Sequence, residues 1–130
     1  MKVLDPRRAA TEAVTANASR PATAIVHDSD DARLVVFRLA PGQAVAPHRS
    51  NSTVMLSVLG GSGFVSGSEG ERNVSAGDLV VYAPDEVHGM RAGDEELTLL
   101  ATIAPRPGSM PASIRKAEPA GRATVSEGGA

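Results

Sequence analysis

The sequence predicts an all-β domain closed as a sandwich or barrel, and three observations carry that expectation. Between residues 22 and 104 lie eight apolar segments of strand length, separated by turn residues at short intervals. No segment in that interval keeps a 3.6-residue apolar period. The apolar share is 42%, yet the aromatics are only Phe37, Phe64 and Tyr82, so a core must be built from Val, Leu, Ile and Ala, a composition that suits strands.

The elements follow in order. Residues 1–21 are rich in Ala and Thr, and Asp5-Pro6 has the form of an N-cap followed by proline at the first helical position, so this stretch reads as a short helix or an arm against the barrel. Ala22 to His27 and Arg33 to Leu39 read as a hairpin about the polar turn Asp28 to Ala32. Ala40-Pro41-Gly42 ends it, and a loop is expected to carry the chain to His48. Thr53 to Leu59 alternates with Val54, Leu56 and Val58 on one face and Thr53, Met55, Ser57 and Leu59 on the other. Gly60 to Gly63 reads as a turn, and Phe64-Val65-Ser66 and Arg72-Asn73-Val74 flank the hairpin loop Gly67 to Gly70. Leu79 to Ala83 follows the corner Ala76-Gly77-Asp78 and stops at Pro84. His88 to Arg91, a turn at Ala92-Gly93-Asp94, and Leu97 to Ile103 complete the set. Beyond Ala104, prolines at 105, 107, 111 and 119 stand among Gly, Ser, Ala and Arg. The expected division is therefore an arm over 1–21, a barrel over 22–106 and a tail over 107–130 that is mostly disordered, with its first residues able to lie along the barrel.

With 130 residues the chain is about one domain. A net charge of −2 and a pI near 5.9 supply no basic field, so nucleic acid is not an expected partner. The absence of cysteine removes disulfides, thiolate nucleophiles and Cys-ligated zinc. No long apolar run or signal-like core follows Arg7 and Arg8, so the expectation is a cytoplasmic protein without a membrane partner. Gly61 to Ser66 nearly spells a dinucleotide fingerprint but lacks its third Gly and a following helix, and no Gly-x-Ser-x-Gly elbow occurs.

Two pieces carry the chemistry: Gly42 to His48, and Gly77-Asp78 to His88 with Pro84 before its end. Each starts on a Gly at a turn, crosses an apolar segment and ends on a His. In order and spacing these residues resemble the two motifs of small single-domain cupins over roughly residues 22–104. The first family motif is Gly, five residues, His, one residue, His, three or four residues, Glu, six residues, Gly; Gly42, His48 and Gly61 match it, while Ser50 stands at the second His and Val54 at the Glu. In the second, Gly77, Asp78 and His88 match at the family's eleven-residue separation. The resemblance implies a double-stranded β-helix, a jelly-roll barrel of RmlC-like type, that presents His48 and His88 at one mouth. Typical cupins hold iron, manganese, nickel or zinc on three His and one Glu, and two of those positions are kept here. Glu86 is the carboxylate able to join them: if Glu86-Val87-His88 is extended, alternation puts it on the side of His88.

Two readings stay open at the level of sequence. In one, a divalent metal on His48, His88 and Glu86 assists oxygenation, isomerisation or cyclisation of a small metabolite, or the two histidines act as acid and base with the Tyr82 phenol beside them. In the other, the barrel has no metal and is a non-catalytic ligand-binding or regulatory domain. The apolar residues on both strand faces further predict a homodimer paired sheet against sheet.

Overall fold

The computed structural model describes residues 1–108. One short helix, α1 (Pro6–Glu12), precedes seven strands: β1 (Ala22–Asp28), β2 (Arg33–Leu39), β3 (Ala44–His48), β4 (Thr53–Gly67), β5 (Gly70–Ser75), β6 (Leu79–Tyr82) and β7 (His88–Ala104). All pairings are antiparallel.

The fold is organised by β4 and β7, which pair with each other from Thr53↔Ala104 to Ser66↔Gly89 and bend together midway. Their first partners form one layer in the order β1, β2, β7, β4, β6; beyond the bend, β3, β7, β4 and β5 form the other. Register slips between Val58 and Gly60, and again between Gly61 and Gly63, mark the bend as β-bulges. The alternation slips with them: Val54, Leu56 and Val58 face the core before the bend, and Gly63 and Val65 after it. In β7 the inward set changes from His88, Met90 and Ala92 to Leu97, Leu99, Ala101 and Ile103. Gly60 to Gly63 and Ala92 to Asp94, expected as turns, are therefore bends inside continuous strands. An alternation whose phase slips at a glycine looks like a turn until both halves are seen to keep one partner.

Residues 44–48, expected as a loop, form β3. It pairs with β7 as Ala44↔Arg91, Val45↔Met90 and His48↔His88, with an irregularity between Val45 and His48 that contains Pro47. Proline has no N–H to donate, so this edge strand keeps its register only on either side of it. The core between the layers is aliphatic, as the composition predicts, with Phe37, Leu39, Leu56, Leu97, Leu99 and Ile103 almost fully buried.

The N-terminal segment is tied to the barrel. Asp5 caps α1 by accepting from Arg8 N at 3.1 Å, Pro6 sits in the first turn, and Ala10 is completely buried beneath the helix. At the other end the Arg38 guanidinium, on the outer face of β2, donates to the carbonyls of Ala10, Thr11 and Ala13 and so satisfies the helix C-terminus. Gln43 adds a second tie: Nε2 donates to Ala18 O and Arg20 O while Oε1 accepts from Ala40 N.

At the far end of β7, Arg106 and Arg33 both bond the Asp28 carboxylate and hold it below its ordinary pKa. Buried Ser52 donates to Pro105 O at 2.6 Å, and Pro107 is buried. The first residues after β7 thus lie against the barrel end, as the sequence allowed. The rest of that expectation, from residue 109 onward, lies outside the described residues. Among those described, no helix is long and apolar enough to cross a membrane.

Candidate functional site

His48 and His88 are brought together by the ladder between β3 and β7, in which they are direct partners. Cross-strand partners project to the same face, and the two rings lie 4.3 Å apart between centroids at 64°. Close approach of β3 depends on Gly89: a Cβ there would lie 2.8 Å from Ser66 Oγ and 3.0 Å from Pro47 Cα. The glycine directly after His88 was the signal in the sequence for this approach, and motif spacing alone passes over it.

Both rings are oriented in the same way. His48 Nδ1 lies 2.9 Å from Ala46 O, and His88 Nδ1 lies 3.2 Å from Glu86 O, each bond reaching back two residues. A carbonyl oxygen only accepts, so Nδ1 of each ring carries the proton and Nε2 of each neutral ring is a bare acceptor. Both Nε2 atoms are shielded from solvent and have no hydrogen-bond partner. A buried acceptor left unpaired costs about 1–3 kcal/mol, so this fold maintains two costly groups side by side.

The mouth around the pair is closed by two clipped loops. Asp85 N donates to Ser50 O at 2.7 Å, and Arg49 Nη1 donates to Asp85 O at 3.2 Å. Asp85 adopts φ +70°, in the left-handed region that Asp tolerates better than most residues.

Tyr82 is buried with its ring 5.3 Å from that of His88, and its hydroxyl donates to Ser66 O at 2.7 Å. Burial first, and then the Glu86 charge, push the phenol up to about 12. Its proton is thus held on the Ser66 carbonyl, and the ring lies beside His88. Tyr82 and Glu86 also line a cleft of about 280 Å³ together with Val65, Val80 and Arg72.

Glu86 Oε1 accepts from Ala83 N at 2.9 Å while Glu86 N donates to Ala83 O at 3.1 Å, a reciprocal pair that closes the turn after β6. Its backbone, rather than its carboxylate, is what bonds His88. Among the described residues no three His, Cys, Asp or Glu side chains come together as a metal-binding group. Ser50 is half-buried at the loop, and Val54 is completely buried as the ladder partner of Tyr82. His27, outside both motifs, lies on β1 with Nε2 3.3 Å from Ser29 Oγ.

Burial lowers the pKa of His88, with a smaller push in the same direction from His48 and opposing contributions from the Glu86 carbonyl and carboxylate. The unfolded chain takes up a proton here near the ordinary value of 6.5 while the folded chain resists it. Unfolding therefore gains protons, and stability falls as pH drops through about 6.5, until the folded-state pKa is passed and the loss levels off. We expect urea midpoints to decline between about pH 7.5 and 5.5, and the decline to be smaller in His88→Leu. An equal decline in wild type and variant would contradict this.

Comparison with known proteins agrees with the architecture. Residues 34–124 match the family model of the AraC-like ligand binding domain. An RmlC-like cupin protein from Desulfovibrio desulfuricans is 30% identical, covering 72% of this chain and 91% of its own, with a TM-score of 0.64. The TT1209 protein from Thermus thermophilus is 27% identical over 82% of this chain and 100% of its own, with a TM-score of 0.72. A conserved protein with a double-stranded β-helix domain from Klebsiella pneumoniae is 24% identical over 82% and 91%, with a TM-score of 0.70. No curated protein matches the sequence significantly.

Proposed function

The chain belongs to the AraC-like ligand binding domain family, a small cupin barrel, and from that premise we propose that it binds a small molecule at the His48–His88 pair without a resident metal. The observation that carries this reading is the two buried Nε2 acceptors without partners. They supply directional polar contacts, while Val54 and Tyr82 supply the apolar walls typical of a small-molecule site.

A divalent metal is what the fold family would suggest, and the donor set here does not fit one. Two imidazole nitrogens fall short of the three or more protein ligands that stable zinc or iron centres take. Ser50 and Val54 occupy the motif positions of the other ligands, and the Glu86 carboxylate closes a turn. The test is metal analysis of protein purified without an affinity tag, together with a thermal-shift screen of small polar metabolites. The reading expects substoichiometric iron, manganese, nickel and zinc, and stabilising compounds whose effect disappears in His88→Leu. One equivalent of a metal lost in both His48→Ala and His88→Ala would replace it with a metal-assisted enzyme.

We also place a second copy of the chain on the outer face of the layer containing β6. Leu79 and Val81 are 61% and 59% exposed there, beside Met55 on the neighbouring strand. Sedimentation should give about twice the 13.3 kDa chain mass, and Val81→Glu should halve it. A wild-type monomer at micromolar concentration would contradict the pairing.

A further inference from the structure

β5 presents polar side chains on both faces, and only one face is satisfied. Glu71 is paired with Arg91 at 2.8 Å, and Asn73 donates to Gly63 O at 2.9 Å. Arg72, between them, projects to the opposite side of the strand, the side of Val74 and of its own ladder partner Val65, both of which are buried. Among the described residues the Arg72 guanidinium has no hydrogen bond or ion pair.

Arg72 lines the cleft of about 280 Å³ that also takes in Val65, Gly67, Val80, Tyr82 and Glu86. Glu86 brings the opposite charge. Its Oε1 is taken by Ala83 N, while Oε2 has no hydrogen bond among the described residues and lies 3.8 Å from where a Cβ on Gly67 would stand. The same Cβ would be 3.5 Å from Tyr82 Cε1, so the missing side chain of Gly67 leaves open the space beside ring and carboxylate. Arg72 and Glu86 thus stand in one cleft without an ion pair joining them.

Two separated, opposite charges beside Val65 and Val80 complement a molecule that is itself dipolar. A guanidinium takes a carboxylate through two parallel N–H bonds, and a carboxylate oxygen accepts from an ammonium. Small-molecule pockets run from about 300 to 1,000 Å³, so a cleft at the bottom of that range admits only a small ligand. We propose that this cleft binds a small zwitterion, an α-amino acid with an apolar side chain: its carboxylate meets Arg72, its ammonium meets Glu86 Oε2, and its side chain lies on Val65 and Val80.

The test is a titration of the full ¹⁵N-labelled chain, followed by amide ¹H–¹⁵N spectra, with L-valine and separately with isobutylamine and 3-methylbutanoate, which are valine without its carboxylate and without its amine. Valine should shift the amides of Gly67, Arg72 and Glu86 saturably, and each analogue should bind roughly tenfold more weakly or worse. Arg72→Gln, and Glu86→Gln, which keeps an acceptor for Ala83 N, should each weaken valine binding roughly tenfold. Gly67→Val places its Cβ at ordinary contact distance and its methyl groups in the open space, so it should abolish binding with the fold intact. The proposal is overturned if millimolar valine leaves the three amides in place, if either analogue binds as tightly as valine, or if Arg72→Gln or Gly67→Val binds like the wild type. None of these results bears on the histidine pair, since neither imidazole lines the cleft.

Discussion

Gly61→Ala is expected to be the most damaging single-methyl change in the barrel. Gly61 has φ +74°, and a Cβ there would lie 1.8 Å from Glu96 O and 3.0 Å from the Glu96 carbonyl carbon. The obstacle is backbone of the paired strand, which no rotamer change relieves, and the conformation is one that alanine disfavours. Relief requires β4 and β7 to separate at the bend that both layers share. A cost of about 4 kcal/mol or more is expected, enough to unfold a domain of ordinary marginal stability. Gly70→Ala is the control: it has φ +107° but open space around its Cβ position, so it carries the conformational penalty alone, about 1–2 kcal/mol. Equal urea midpoints for the two variants would show that the bend accommodates a methyl group.

His88→Leu is expected to have the opposite sign. The ring is almost wholly buried, with only 3% of the residue's surface exposed, and its Nε2 has no partner. Leucine is of comparable bulk, removes that acceptor and adds apolar contact beside Tyr82, so the unliganded protein should gain about 1–3 kcal/mol. The bond to Glu86 O is lost, which sets the gain toward the lower end. The same variant should lose ligand-induced stabilisation altogether. A protein that becomes more stable when a buried histidine is removed has kept that histidine for a use other than folding. A loss of stability of similar size would assign His88 a structural role.

Much of this was legible in the sequence because glycine, proline and alternation report directly on backbone geometry. The hairpin of β1 and β2, the Asp5-Pro6 helix start and the Gly77-Asp78 corner all follow from such local rules. What escaped depends on contacts between distant segments. β3 is five residues long, interrupted by Pro47 and stabilised by pairing with a strand about forty residues later, so local preference alone gave a loop. The bends hid behind glycines whose purpose is close approach to Glu96 and Arg91 carbonyls.

The histidine pair was visible from motif spacing, but its chemistry was not. Which nitrogen is free is decided by the carbonyls of Ala46 and Glu86, and carbonyl direction is not written in side-chain identity. Glu86 shows the same limit. Alternation placed its carboxylate beside His88, and the turn at Pro84 spends one oxygen on Ala83 N instead.

The central claim is that both rings carry a proton on Nδ1 and present Nε2 as a buried acceptor. Long-range ¹H–¹⁵N correlation of the histidine rings in the ligand-free protein near pH 7.5 reads this directly, because protonated and bare ring nitrogens differ widely in shift. The account predicts the Nδ1–H tautomer at both His48 and His88. An Nε2–H tautomer at either ring would give the site a donor and contradict it.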